Sequence, residues 1–168
     1  MKEPLLLLDK KQIAQKLNRL AYQIYEDNFE ENELVIAGVA PRGIIIAQRL
    51  QGIIENISDI KVSSLAVEIT DRDKTVPTVE IKGNSDELSG KALVLVDDVL
   101  NSGKTLVHAL GAFVQLPFKK MRTVVLVDRN HKIYPIATDY AGLSLSTVSQ
   151  EHIDVMMENE AEEAVFLR

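Results

Sequence analysis

The stretch Leu93-Val94-Leu95-Val96-Asp97-Asp98-Val99-Leu100-Asn101-Ser102-Gly103-Lys104-Thr105 constrains this chain more than any other. Ala92 to Val96 is a continuous apolar run, the pattern of a parallel strand buried on both faces. Asp97 to Lys104 follows as a polar loop, and Thr105 to Leu116 has the composition of a helix. Two further short apolar runs, Leu34 to Val39 and Met121 to Val127, predict strands of the same kind. Strand–helix–strand alternation of this sort predicts an α/β fold with a doubly wound, mostly parallel sheet flanked by helices.

The other elements follow from capping and periodicity. Asp9 is placed to cap a helix running to about Phe29, with Ile13, Leu17, Leu20, Ile24 and Phe29 as its buried stripe. Ile44 to Ile54 predicts a helix and Ile60 to Ile69 a strand. Asp71 to Ser89 is polar and punctuated by Pro77 and Gly83; it predicts a loop or loose hairpin around Val79-Glu80-Ile81. After Asp128 the pattern changes to short strand-like pieces, Ala137 to Tyr140, Ile153 to Met157 and Val165 to Leu167, which predict a small cap at one end of the sheet.

Composition narrows the function class. A chain of 168 residues suits a single domain with a real core. Without cysteine there are no disulfides and no thiolate metal sites, which fits a reducing cytoplasm. No apolar run approaches the length needed to span a bilayer, and Leu5 to Leu8 is too short for a signal-peptide core. A net charge of −6 argues against a nucleic-acid binder.

The chemistry lies in the Asp97–Thr105 segment. In open α/β sheets, ligands bind beyond the carboxyl ends of the strands. A helix N-terminus suits a phosphate monoester. Ser102 and Thr105 add hydroxyl donors, and Gly103 lets the backbone come close. Two carboxylates beside a phosphate would repel a bare anion. They make sense if they accept hydrogen bonds from sugar hydroxyls or hold a Mg²⁺ directly or through water. The bland alternative is a solvated capping turn. A Walker loop is excluded because Asp98 stands where it needs glycine, and no Gly-x-Gly-x-x-Gly is present for a dinucleotide fold.

Val94 to Thr105 resembles the 5-phosphoribosyl-1-pyrophosphate (PRPP) motif of type I phosphoribosyltransferases, with Ser102 where the commonest form has Thr. Asp9 to Asn28, Val35 to Leu50 and Leu126 to Gly142 resemble the PyrR type, pyrimidine-operon attenuators and uracil phosphoribosyltransferases. The resemblance implies one domain over 1–168, with a core of about 9–128 and a hood of about 129–168 plus the N-terminal residues. It implies that Asp97 and Asp98 hold the ribose hydroxyls, and with them Mg²⁺, and that Asn101, Ser102, Gly103, Lys104 and Thr105 cradle the 5-phosphate. Ala40, Pro41, Arg42 and Gly43 match the pyrophosphate loop, where the family often has a cis peptide. Pro41 stands there in place of the usual non-proline residue. Arg42 suits phosphate oxygens. Ile69 to Lys74 opens the family's flexible catalytic loop, with Arg72 the candidate to reach pyrophosphate.

By the same resemblance Arg129 belongs to the pyrophosphate site, and Asn101, Ala137 and Tyr140 to the base pocket. His131 lies nearby and is assigned no proton transfer. Relatives acting on 6-oxopurines typically carry Asp at the position of Asn101 and Lys at that of Ala137. Asn cannot accept a proton from the base. These departures leave uracil as the expected base, with an unusual base as the other option. The implied partners are PRPP and a nucleobase or nucleoside monophosphate, in a homodimer or higher homo-oligomer. RNA binding is not expected, since Ser146-Thr147-Val148-Ser149-Gln150-Glu151 lacks the PyrR type's basic residue. Glu158 to Glu163 is acidic, and Lys119, Lys120 and Arg122 form the only close basic cluster. An RNA-binding regulator and a non-catalytic nucleotide sensor remain the alternative readings.

Overall fold

A chain that ends its first strand in aspartate and continues into Lys-Lys-Gln carries a helix start in its sequence. In the computed structural model, which describes residues 3–84 and 88–168, β1 (Leu5–Asp9) runs directly into α1 (Lys10–Asn28). The Asp9 carboxylate accepts the Gln12 N–H at 2.8 Å and the Gln12 side chain accepts the Asp9 N–H at 2.9 Å, a reciprocal capping box. Ile13, Leu17, Leu20 and Ile24 are fully buried as their spacing predicts. Phe29 departs from the expectation: it lies just past the helix and is 65% exposed.

The remaining elements are β2 (Glu33–Val39), α2 (Arg42–Ile57), β3 (Lys61–Thr70), β4 (Thr78–Lys82), β5 (Ala92–Leu100), α3 (Lys104–Phe113), β6 (Lys120–Asp128), β7 (Tyr140–Ser144), β8 (Ile153–Met156), a 3-10 turn (Glu160–Glu162) and β9 (Ala164–Leu167). The main sheet has the order β4-β3-β2-β5-β6-β7. All pairs are parallel except β3 with β4. The expected α/β fold is therefore present. Residues of α1 and α2 pack with one face of the sheet in one buried cluster, and α3 residues Leu106, Ala109 and Phe113 pack in a second cluster with Val35, Leu93 and Leu95. The hood is a separate antiparallel sheet of order β1-β9-β8.

Three sequence expectations need correction. First, β5 does not stop at Val96: it stays paired with β6 through Leu100, opposite Asp128, so Asp97 and Asp98 are strand residues rather than loop residues. A polar strand end reads as loop because sequence hides the neighbouring ladder. Second, α3 is shorter than Thr105 to Leu116, running from Lys104 to Phe113. Third, Ala137 to Tyr140 is not a hood strand. The Asp139 carboxylate accepts the Thr123 N–H at 2.8 Å, and the Asp139 N–H returns a bond to the Thr123 carbonyl at 3.0 Å. These bonds steer the chain alongside β6, where β7 begins at Tyr140 and joins the main sheet. Arg19 of α1 donates to the carbonyls of Ala141 and Gly142 at 3.0 and 2.7 Å, occupying acceptors of this edge strand. The Asp71–Ser89 segment does contain the expected hairpin strand, β4; its residues 85–87 lie outside the described residues.

Candidate active site

The carboxyl ends of β2, β5 and β6 open into one cleft of about 250 Å³. Ala40 and Pro41 come from the turn after β2 and Arg42 from the start of α2, Asp97, Asp98 and Val99 from the end of β5, Asn101 from the turn after it, Thr105 from the first turn of α3, and Arg129 from just past β6. Arg72 leans in from the β3–β4 hairpin, and His152 and Ile153 from the hood. A smaller hollow of about 30 Å³ continues from Asp97 along Ser102, Gly103 and Thr105 to Leu106. Ligand-sized space thus lies where the strand order reverses.

Two glycines permit these close approaches. Gly103 has φ +85°, and a Cβ there would lie 2.5 Å from Ile136 Cγ2. A Cβ at Gly43 would lie 2.6 Å from the Val96 carbonyl oxygen, so the 40–43 turn rests directly on the end of β5. The Ala40–Pro41 peptide is cis.

The carboxylates differ sharply. Asp98 receives the Arg42 Nε–H at 2.6 Å on Oδ2 and the Val99 N–H at 2.8 Å on Oδ1. Arg42 also faces Glu158 of the hood at 3.7 Å. Asp97 is buried and accepts the Asp98 N–H at 2.9 Å. Burial, then the neighbouring Asp98 charge, push the Asp97 carboxyl well above the usual carboxylate range, against partial opposition from the Asp98 N–H and Arg72.

The β3–β4 hairpin is tied down over the cleft. Arg72 donates to the Ala40 carbonyl at 3.1 Å and to the Ile69 carbonyl at 3.2 Å. Lys104 donates through Nζ to the carbonyls of Arg72 at 2.9 Å and Lys74 at 2.6 Å. One ammonium therefore links the helix that borders the smaller hollow to the loop above it. We expect Lys104→Met to release this turn, raising KM for PRPP roughly 10-fold, the scale of losing charge-assisted hydrogen bonds. Steady-state kinetics, with accelerated tryptic cleavage at Arg72 or Lys74 as a second readout, would check this; unchanged KM and cleavage would refute it.

Arg129 is buried and donates to Thr147 Oγ1 at 2.6 Å, Asn101 Oδ1 at 2.9 Å and the Val148 carbonyl at 3.1 Å. Ser102 Oγ accepts the Lys104 N–H at 3.3 Å. The Ser102 carbonyl accepts N–H groups of Ile133 and Tyr134, which buttress the turn from the 130s loop.

Two sequence-derived candidates sit elsewhere. Tyr140 packs against the core cluster shared with α1, and its hydroxyl meets Arg122; burial, then the nearby Asp27, raise its pKa. Alternation along β7 turns this ring away from the cleft. Ala137 is exposed, with Pro135 and Ile136, on the loop before β7. His131 does not line the cleft. Conversely, His152, Ile153 and Glu158 were not legible, because they arrive from the hood and belong to no local motif.

Metal fit follows from the donor set. Among the described residues no group of three or more His, Cys, Asp or Glu side chains could cage a metal ion. Asp97 and Asp98 suit a Mg²⁺ that keeps waters and takes its other oxygens from a substrate.

A family model described as a phosphoribosyl transferase domain matches residues 6–160. The bifunctional protein PyrR of Clostridium novyi is 36% identical over 168 residues, covering 95% of this chain and 94% of that protein. That of Clostridioides difficile is 35% identical over 176 residues, covering 100% and 99%. Among solved structures, a hypoxanthine-guanine phosphoribosyltransferase from Bacillus anthracis superposes with a TM-score of 0.75 at 22% identity, over 96% of each chain. This chain therefore belongs to the phosphoribosyltransferase family, as a PRPP-dependent enzyme. Within that family it is similar over nearly its whole length to the bifunctional proteins PyrR. No helix among the described residues is long and apolar enough to cross a membrane.

Proposed function

We propose that the chain transfers the 5-phosphoribosyl group of PRPP to uracil, releasing pyrophosphate, as one domain whose hood includes β1. The single observation that carries the choice of base is Asn101, a carboxamide held by Arg129 at 2.9 Å in the cleft wall, where relatives acting on 6-oxopurines carry a carboxylate. The PyrR-type likeness points the same way.

In this reading the 5-phosphate lies in the hollow at the start of α3, against Ser102, Gly103 and Thr105. Asp97 and Asp98 accept the ribose hydroxyls. Arg42 exchanges Asp98 for the departing pyrophosphate, which the Ala40-Pro41-Arg42-Gly43 turn receives. Arg72 and its hairpin exclude water from the developing oxocarbenium ion. Mg²⁺, held through Asp97 and Asp98 and the substrate's own oxygens, would neutralise charge on pyrophosphate as it leaves. Most of the acceleration is positioning and electrostatics. The test is a panel of free bases with PRPP and Mg²⁺, following pyrophosphate release. We expect a higher kcat/KM for uracil than for hypoxanthine or guanine, and the reverse order would overturn the choice of base.

Likeness to proteins named bifunctional also raises RNA-binding regulation. The basic cluster that could support it is engaged: Lys119 pairs with Glu31 at 2.5 Å, Lys120 with Asp27 at 3.2 Å and Arg122 with Asp27 at 3.0 Å. Paired cations release few counterions on meeting phosphate. We expect gel-shift titrations with structured RNA leaders to give no submicromolar binding. Tight, UMP-enhanced binding with a steep salt dependence would make regulation the leading function.

A further inference from the structure

Arg129 is a buried cation met only by neutral groups. Its partners are the Asn101 amide oxygen, the Thr147 hydroxyl and the Val148 carbonyl. No carboxylate pairs with it among the described residues. Neighbouring Asp128 faces Lys132 at 3.2 Å and accepts the Asn130 N–H, and Glu151 accepts the Val148 N–H. A guanidinium taken out of water without a counter-charge is costly. It also has five N–H donors, two of them not used in these contacts. The same contact orients Asn101: a guanidinium has no acceptor, so the amide oxygen faces Arg129 and Nδ2–H is the donor left over. Both residues line the cleft. This wall offers positive charge and N–H donors, and neither residue can take a proton.

We infer that the Arg129–Asn101 pair selects a nucleobase that binds as an anion, one with carbonyl oxygens beside an acidic ring N–H. The inference rests on the transferase reading above; it assigns Arg129 to the base rather than to pyrophosphate and specifies the form of base the site takes. The ring N–H gives its proton to solvent before transfer. The nitrogen lone pair then forms the bond to ribose C1, the C1–O bond to pyrophosphate breaks, and pyrophosphate leaves with that electron pair. Arg129 is the counter-charge of the bound anion, and the spare N–H groups of Arg129 and Asn101 meet its carbonyl oxygens. Adenine, with an amine at this wall, sets donor against donor and is rejected. The cleft's other charged or titratable groups are Arg42, Arg72, Asp97, Asp98 and His152. Of these, Asp97, Asp98 and His152 are the competing proton acceptors.

The test is kcat/KM against pH for uracil and for 5-fluorouracil, whose ring N–H the fluorine makes more acidic, with saturating PRPP and Mg²⁺. The pH at which kcat/KM rises should move down with the more acidic base, about tenfold in rate per unit of base pKa below both values. Asn101→Asp, which offers Arg129 an ion pair within the fold, should lower kcat/KM for both bases roughly 10- to 100-fold. A second arm needs no turnover: calorimetry of 5-fluorouracil binding with ribose 5-phosphate, which has no pyrophosphate to lose, in buffers of different ionisation enthalpy should show net proton release, lost in Asn101→Asp. A break at one pH for both bases would overturn the inference and point to an enzyme group such as His152, while leaving the transferase reading intact. Proton-releasing binding with no pyrophosphate release from any base would do the opposite.

Discussion

Asp98→Asn is expected to weaken PRPP binding about 100-fold and to lower kcat/KM by roughly 100- to 1,000-fold, the scale of removing one preorganised electrostatic contact. Both Asp98 oxygens already accept hydrogen bonds, Oδ2 from Arg42 and Oδ1 from the Val99 N–H. A carboxamide can accept at one of these positions only. Whichever way it turns, its own N–H₂ faces a donor, so one donor loses its partner. The orphaned group costs about 1–3 kcal/mol, so the variant should also be less stable. With the N–H₂ turned toward Arg42, the guanidinium is left, among the described residues, with the longer contact to Glu158 at 3.7 Å. Calorimetry with PRPP and Mg²⁺ on wild type and variant reads the first effect, and thermal melting the second. Equal PRPP affinity in the two proteins would remove Asp98 from the site.

How far this arrangement could be read beforehand depends on where each residue sits along the chain. The motif that joins β5 to α3 was legible because the apolar run, the carboxylates and the Ser-Gly-Lys-Thr turn are contiguous, although the sequence stopped the strand at Val96 and the ladder with β6 carries it to Leu100. The α1 start was legible because a capping box needs only residues three apart. Tyr140 was misplaced because local sequence does not fix the register at which β7 enters the sheet. That register depends on Asp139 bonding to Thr123, sixteen residues away in the chain. His152 and Glu158 were not foreseen because the hood folds back onto the cleft from more than fifty residues beyond Asp98. The lysine of the Ser-Gly-Lys-Thr turn reads as one more phosphate ligand. Its contacts with the carbonyls of Arg72 and Lys74 depend on the β3–β4 pairing, which the polar 71–89 segment barely announces.

Asp97→Asn should act on stability in the opposite sense to its neighbour while still disabling the enzyme. The Asp97 carboxyl is buried, and burial together with the adjacent Asp98 charge raises its pKa well above the ordinary value. A carboxylate raised on folding binds its proton more tightly in the folded state. Its charge therefore lowers stability as pH rises from about 4, the unfolded value, through the raised folded value, and the full penalty persists above that. Asparagine is neutral throughout and removes the penalty. Its amide oxygen can keep the hydrogen bond that Asp97 accepts from the Asp98 N–H. The free variant is expected to melt roughly 2–4 °C higher for each ~1 kcal/mol recovered near neutral pH. That gain should shrink as the pH approaches 4. A buried carboxylate kept at such a cost, at the mouth of the small hollow before α3, fits the proposed role of a group held ready for ribose hydroxyls. PRPP-dependent pyrophosphate release by Asp97→Asn should fall roughly 100-fold or more. Melting curves from pH 4 to 8, with and without PRPP, give the measurement. Wild type melting above the variant at neutral pH without ligand would show that the Asp97 charge stabilises the fold, contrary to this account.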